Sequence, residues 1–197
     1  MKIPDSVPWC STGTTLGSGG QAVVHLVTRR EQPEGPRFAL KALKNVQSRQ
    51  ARERFRREIE AVKLLDHPNI AKIVDQSGPE DPFQFYVMEY YEGARTLASV
   101  IFSESNPYHG KPLECLGLFE QILLALQACE QTSPPVVHRD IHPSNILLLR
   151  DGSLRLIDFG ICQIQDGHII TLVDENVGAR NYAAPVAGNY AAVDTTA

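Results

Sequence analysis

The stretch His138-Arg139-Asp140-Ile141-His142-Pro143-Ser144-Asn145, followed thirteen residues after Asn145 by Asp158-Phe159-Gly160, decides how this 197-residue chain is read. Asp140 and Asn145 stand five apart, and Asp158 closes the run NILLLRDGSLRLID. That run reads as two strands around an Asp151-Gly152 turn, a strong short-range hairpin signal. Two carboxylates and an amide in this pattern suit phosphoryl transfer. One carboxylate positions a hydroxyl nucleophile; the amide and the second carboxylate offer oxygen donors to magnesium ions that neutralise phosphate charge.

The block resembles the catalytic loop and metal loop of the eukaryotic-like (Hanks-type) Ser/Thr protein kinases. The resemblance runs from Leu16 to about Pro185 and implies an α+β, bilobal fold. A β-rich N-lobe with its helix C would be joined to an incomplete helical C-lobe. It implies that Asp140 accepts or orients the substrate hydroxyl proton, that Asn145 and Asp158 are Mg2+ ligands, and that His138 and Phe159 are internal packing residues. The division it suggests is an N-terminal extension over 1–13, an N-lobe and hinge over 14–92, and a partial C-lobe over 93–197.

Upstream segments carry the same resemblance. Gly17-Ser18-Gly19-Gly20-Gln21-Ala22-Val23-Val24 lies between two predicted strands, and glycines there let backbone N–H groups approach phosphate oxygens. No Gly-Lys-Ser/Thr follows, so this is not a Walker A loop. Ala22 stands at the third glycine position of the family's loop. By resemblance, Leu16, Val24 and Ala39 belong to the ATP pocket, and Val24 packs on the adenine. Lys41, on the strand Phe38 to Leu43, matches the lysine that contacts the α- and β-phosphates. Glu58 matches the helix-C glutamate that pairs with it. Its helix carries Phe55, Ile59, Val62 and Leu65 at helical spacing, with Ser48 as N-cap and His67-Pro68-Asn69 as stop. Strands are expected at Val23 to Thr28, Ile70 to Val74 and Phe85 to Glu89. FYVMEYYEG resembles the hinge, with Met88 as gatekeeper and backbone groups of Glu89 and Tyr91 on the adenine edge.

After Gly93 the pattern turns helical. Leu116, Phe119, Leu123 and Leu126 mark a buried helix, widened by Ile122 and Cys129, with Cys115 also expected in the core. The chain departs from the family at four places. His142 replaces the lysine that contacts the transferred phosphate, and is itself counted among the catalytic candidates. Ala179 replaces the usual Thr, Val186 replaces the Glu of the Ala-Pro-Glu motif, and the sequence ends before the family's central C-lobe helix. These departures predict a fragmentary kinase domain with a poorly supported C-lobe. Arg139 implies control by loop phosphate; Thr171 is the expected phosphosite, Tyr182 reads as structural, and Asp174 and Glu175 offer substitute charge.

Composition bounds the rest. A net charge of −4 gives no reason to expect nucleic acid as a partner. The four cysteines have no metal-ligand spacing and point to a reducing, cytoplasmic setting. No signal peptide is read at the start, and no run approaches the roughly 18 apolar residues of a membrane span. The expected reaction is transfer of the γ-phosphate of Mg-ATP to Ser or Thr hydroxyls of a protein substrate, with the fragment itself read as a candidate for inactivity. Two alternatives are a small-molecule phosphotransferase of the aminoglycoside or choline type, where a histidine after the Asp is normal, and a non-catalytic kinase-like binding module. Arg139, HPNI and GARNYAAP favour a protein kinase.

Overall fold

Alternating side chains build the first half of the molecule. Five antiparallel strands, β1 (Trp9–Ser18), β2 (Ala22–Arg29), β3 (Phe38–Leu43), β4 (Ile73–Gln76) and β5 (Phe85–Glu89), form one sheet in the order β1-β2-β3-β5-β4. The computed structural model describes residues 1–159 and the backbone of 163–164. On one sheet face Val23, Val27, Leu40, Ala42, Phe85 and Val87 form a buried cluster with Ile3 and Trp9. The period of two then puts Val24, Ala39, Lys41, Tyr86 and Met88 on the other face. Trp9 is fully buried, stacks edge-on against Phe38 at 5.1 Å, and donates from Nε1 to Asp75 Oδ2 at 2.6 Å. Residues 9–13, placed by sequence in an extension, are therefore the first part of β1.

Helix α1 (Arg49–Lys63) starts where Ser48 accepts from the N–H of Ala51 at 3.2 Å, the cap expected there. Its buried side is Phe55, Glu58, Ile59, Ala61 and Val62. Phe55 and Ile59 pack on Leu43 and Tyr86 of the sheet, while Ala61 and Val62 join a second cluster with Ile146, Leu154, Leu156 and Phe159. One helix thus belongs to both cores. The strand expected at Ile70 to Val74 begins later, at Ile73. Ile70 instead bridges Leu156, with Leu156 N donating to Asn69 O at 2.7 Å and Ala71 N to Leu156 O at 3.1 Å.

The second half contains β6 (Arg95–Thr96), α2 (Leu97–Ile101), α3 (Pro112–Glu130), β7 (Val136–Val137), a 3-10 turn (Pro143–Asn145), β8 (Ile146–Leu148) and β9 (Leu154–Leu156). The division expected at 90–93 falls between β5 and β6. Strands β6, β8 and β9 form a small sheet, and β7 pairs with β10 (Gln163–Ile164). Strands β8 and β9 are the hairpin read from Asp151-Gly152; Gly152 has φ +82°, a left-handed value at which glycine is unstrained.

Two expectations for α3 need correction. Leu116, Phe119 and Leu123 are 62%, 58% and 52% exposed, and Cys115 is exposed as well. The core side is instead Ala125 and Cys129, with Leu118, Ile122 and Leu126 half-buried against the second cluster. This helix is apolar nearly all round, so spacing alone could not choose its buried face. Gln121 fixes the rotation: its Oε1 accepts from Asn69 Nδ2 at 2.9 Å and from Leu154 N at 2.8 Å. Among the described residues α3 is also long and apolar enough, by length and composition, to cross a membrane, contrary to the expectation that no segment would be. Its core contacts already account for part of that apolar character.

Candidate active site

Cross-strand register assembles the first wall of the site. Lys41 faces Val24 on one side and Tyr86 on the other, and Ala39 faces Leu26 and Met88. Lys41, in the middle of this face, is 8% exposed. Its Nζ lies 2.6 Å from Glu58 Oε1 on α1 and 2.9 Å from Asp158 Oδ1 after β9. Burial opposes its charge, yet the neighbouring Tyr86, Glu58 and Asp158 together hold its pKa well above the ordinary lysine value. The cation is therefore permanent, and it ties three chain segments to one point.

Tyr86 is the member of this cluster that sequence reading passed over. Its hydroxyl donates to Glu58 Oε1 at 2.8 Å, and Lys41 Nζ sits 5.7 Å from its ring centroid. A signal existed: a tyrosine in a buried strand, directly across from the lysine, needs a partner for its hydroxyl.

The catalytic-loop candidates meet on the other side of Asp158. Ile157 N donates to Asn145 O at 2.9 Å, so the backbones leading to Asn145 and Asp158 are bonded together. Asn145 Nδ2 donates to Asp140 O at 3.1 Å and to Asp140 Oδ2 at 3.2 Å. His142 Nδ1 caps the 3-10 turn by accepting from Ser144 N at 3.3 Å, which leaves Nε2 as the proton-bearing nitrogen of the neutral ring. That Nε2 faces Asp140 Oδ2 at 3.5 Å. Asn145 and His142 thus converge on one carboxylate oxygen. Buried His138 accepts from Asp140 N at 3.2 Å through Nδ1 and lies 4.4 Å from the Phe159 ring. Burial pushes its pKa down to about 4, against the pull of nearby Asp140.

Arg139 and Asp158 have φ values of 66° and 62°, a region non-glycine residues seldom occupy. Each costs of the order of 1–3 kcal/mol, and such residues persist only where surrounding structure holds them. Arg139 precedes the Asp140 carboxylate, and Asp158 is itself one of the carboxylates read as chemical.

The glycine turn caps the sheet above Lys41. Gly17 pairs with Val24 and Ser18 with Val23, and Gly19 N donates to Ala22 O at 3.0 Å. A Cβ added at Gly17, Gly19 or Gly20 would meet nothing within 4 Å, and none of the three has a positive φ. Nothing among the described residues therefore requires glycine at these positions. Lys44, also unforeseen, reaches over to this turn, with Nζ 2.9 Å from Ser18 Oγ and 2.5 Å from Gly19 O. Leu16 is exposed and sits at a register irregularity of β1. At the hinge, Glu89 N is committed to Lys72 O at 3.1 Å and Tyr91 O to Ala94 N at 3.1 Å, while the Tyr91 hydroxyl donates to the Glu89 carboxylate.

Direct contacts thus join Lys41, Glu58 and Asp158, and join Asp140, Asn145 and His142; the hinge and glycine turn attach through the sheet. Gly160, Thr171, Asp174, Glu175, Ala179, Tyr182 and Val186 lie outside the described residues. Among the described residues no cluster of three His, Cys, Asp or Glu side chains forms a metal cage.

Comparison with known proteins identifies the family. The family described as "Protein kinase domain" matches residues 10–195. The chain is 37% identical over 176 residues to serine/threonine-protein kinase PrkC of Bacillus subtilis, covering 86% of this chain and 25% of that protein. It is 34% identical over 177 residues to probable serine/threonine-protein kinase MARK-C of Dictyostelium discoideum, covering 88% and 22%. Serine/threonine-protein kinase cds1 of Schizosaccharomyces pombe is 33% identical over 177 residues, covering 87% and 36%. The chain therefore spans about a quarter to a third of the length of these relatives.

Proposed function

This chain belongs to the protein kinase family, and we propose that it binds Mg-ATP and transfers the γ-phosphate to Ser or Thr hydroxyls of a protein substrate. The observation that carries the reading is the double engagement of Lys41 by Glu58 at 2.6 Å and Asp158 at 2.9 Å. It sets a cation beside a carboxylate whose preceding residue is bonded to the catalytic loop, Ile157 N donating to Asn145 O at 2.9 Å. The family uses ATP, usually with Mg2+. The residues fit both. Open space over three glycines that the fold itself does not require suits close approach of phosphate oxygens to backbone N–H groups. Asp158 and the side-chain oxygen of Asn145 are hard donors of the kind magnesium takes beside phosphates, where a cage of three protein ligands is not needed.

In this reading, Lys41 counters the charge of the α- and β-phosphates. Asp158 and Asn145 would hold the magnesium, which supplies neutralisation of charge on the phosphates. The hinge offers adenine the Glu89 carbonyl and the Tyr91 N–H, because Glu89 N and Tyr91 O are used within the chain. Val24, Ala39 and Met88 form the apolar bed. Asp140 accepts the proton of the substrate hydroxyl as its oxygen bonds to the γ-phosphorus and the bond to the β–γ bridging oxygen breaks, releasing ADP. Asn145 and His142 keep the Asp140 carboxylate in one orientation. His142 supplies a hydrogen-bond donor at the place where the family's lysine supplies a charge.

A thermal melt of the chain with and without Mg-ATP tests the nucleotide site. A magnesium-dependent rise in the midpoint is expected, equivalent to about 2.7 kcal/mol at a hundredfold excess over Kd, and lost in Asp158→Ala. No rise in the unsubstituted chain overturns the proposal. Labelled phosphate appearing on aminoglycosides or choline and never on protein would move the activity to small molecules.

A further inference from the structure

We propose that Tyr86 is a positioning residue, whose hydroxyl holds the Glu58 carboxylate toward Lys41 and keeps helix α1 docked for phosphotransfer. The inference rests on the activity proposed above and extends it to a residue to which the motifs assign no role.

The geometry sets Tyr86 between all three parts of the ion pair's surroundings. It is the cross-strand partner of Lys41 on β5. Its hydroxyl and the Lys41 ammonium donate to the same oxygen, Glu58 Oε1, at 2.8 and 2.6 Å. Its ring lies 5.3 Å from that of Phe55, one helical turn before Glu58. Tyr86 and Glu58 are each 2% exposed, so water does not compete for the bond. A lysine on a flexible four-carbon stem follows a carboxylate wherever it turns. A tyrosine with two side-chain torsions, fixed in a strand, does not. The second donor therefore sets where the carboxylate points.

The anchoring of α1 explains why this matters. Its last turns are fastened to the second core through Ala61 and Val62. Its middle, Phe55 and Ile59, rests on the smaller cluster with Leu43 and Tyr86. Loss of the hydroxyl loosens the part of the helix that must carry Glu58 to Lys41. A tyrosine that merely filled space would have no such directional effect.

The test compares the unsubstituted chain, Tyr86→Phe, Glu58→Gln and the double variant. Phenylalanine keeps the ring against Phe55 and Lys41 and removes only the oxygen. Phosphotransfer to protein, with kcat and KM for ATP separated, is measured beside hydrogen exchange of the α1 amides. Tyr86→Phe is expected to lower kcat/KM about tenfold, through kcat more than KM, and to speed exchange of the α1 amides around Phe55 to Ile59 by a similar factor. In the Glu58→Gln background the same change is expected to add less than about twofold, because both act through one carboxylate. Transfer and exchange both within about twofold of the unsubstituted chain would overturn the proposal, as would fully additive losses. No transfer by any chain, with α1 exchange still dependent on the hydroxyl, would sink the proposed activity while leaving the positioning role standing.

Discussion

Asp140 and Lys41 illustrate how the site divides labour between side chains. Asp140 is oriented by Asn145 and faced by His142 on a single oxygen, an arrangement that suits the proton acceptance proposed for it. Asp140→Asn is expected to lower kcat about 10²- to 10⁴-fold while leaving the Mg-ATP-induced rise in melting midpoint intact. A parallel loss of that rise would assign Asp140 to nucleotide binding. Lys44 belongs to the same scale. Its ties to Ser18 and Gly19 are exposed, so each is worth well under 1 kcal/mol. Lys44→Met is expected to speed amide exchange at Gly19 and Gly20 by about two- to threefold, with a melt unchanged within about 2 °C. Unchanged exchange would mean that the turn holds itself. Asp140, Asn145 and Asp158 were legible because their spacing is nearly unique to one chemistry. Tyr86 and Lys44 were not, because a lone tyrosine or lysine has no meaning until the register and the turn place its polar end.

At the level of elements, the junction of Asn69, Gln121 and Leu154 fastens the segment after α1 to α3 and the β8–β9 hairpin. Asn69 is buried and donates to Gln121 Oε1 at 2.9 Å and to Leu154 O at 3.0 Å. Asn69→Ala strands Leu154 O and one lone pair of Gln121, and is expected to cost about 1–3 kcal/mol in urea unfolding. A change under 0.5 kcal/mol would show that the junction is not a structural tie. The sequence marked His67-Pro68-Asn69 as a helix stop and could go no further, since the partners of Asn69 lie 52 and 85 residues away. The same gap explains α3. Leu116, Phe119 and Leu123 satisfied a helical period, but on a helix with apolar residues on every side the tie through Gln121 selected Ala125 and Cys129 for the core. By contrast α1, with charge on one flank and apolar residues on the other, was readable to its cap.

For the whole molecule, buried histidine links stability to pH. The His138 pKa is pushed down to about 4 by burial, from the ordinary histidine value of about 6.5. The unfolded chain takes up a proton in this interval that the folded chain refuses. Stability from this residue is therefore full above about pH 6.5 and is lost as pH falls toward 4, by about 3 kcal/mol at the acid extreme. His25, whose pKa burial also lowers, acts in the same direction. His138→Gln is expected to flatten the decline between pH 6.5 and 4 in denaturant titrations. An unaltered slope would place the acid sensitivity elsewhere. The amino-acid sequence by itself determined the family and the strand and helix types with strong periodicity, and it singled out the candidate chemical residues, because these depend on local spacing and on side chains few reactions need together. Tertiary structure alone decided which face of α3 is buried, that Lys41 reaches Asp158 as well as the expected Glu58, and that Tyr86 stands across from it, because packing and sheet register join residues the chain keeps far apart.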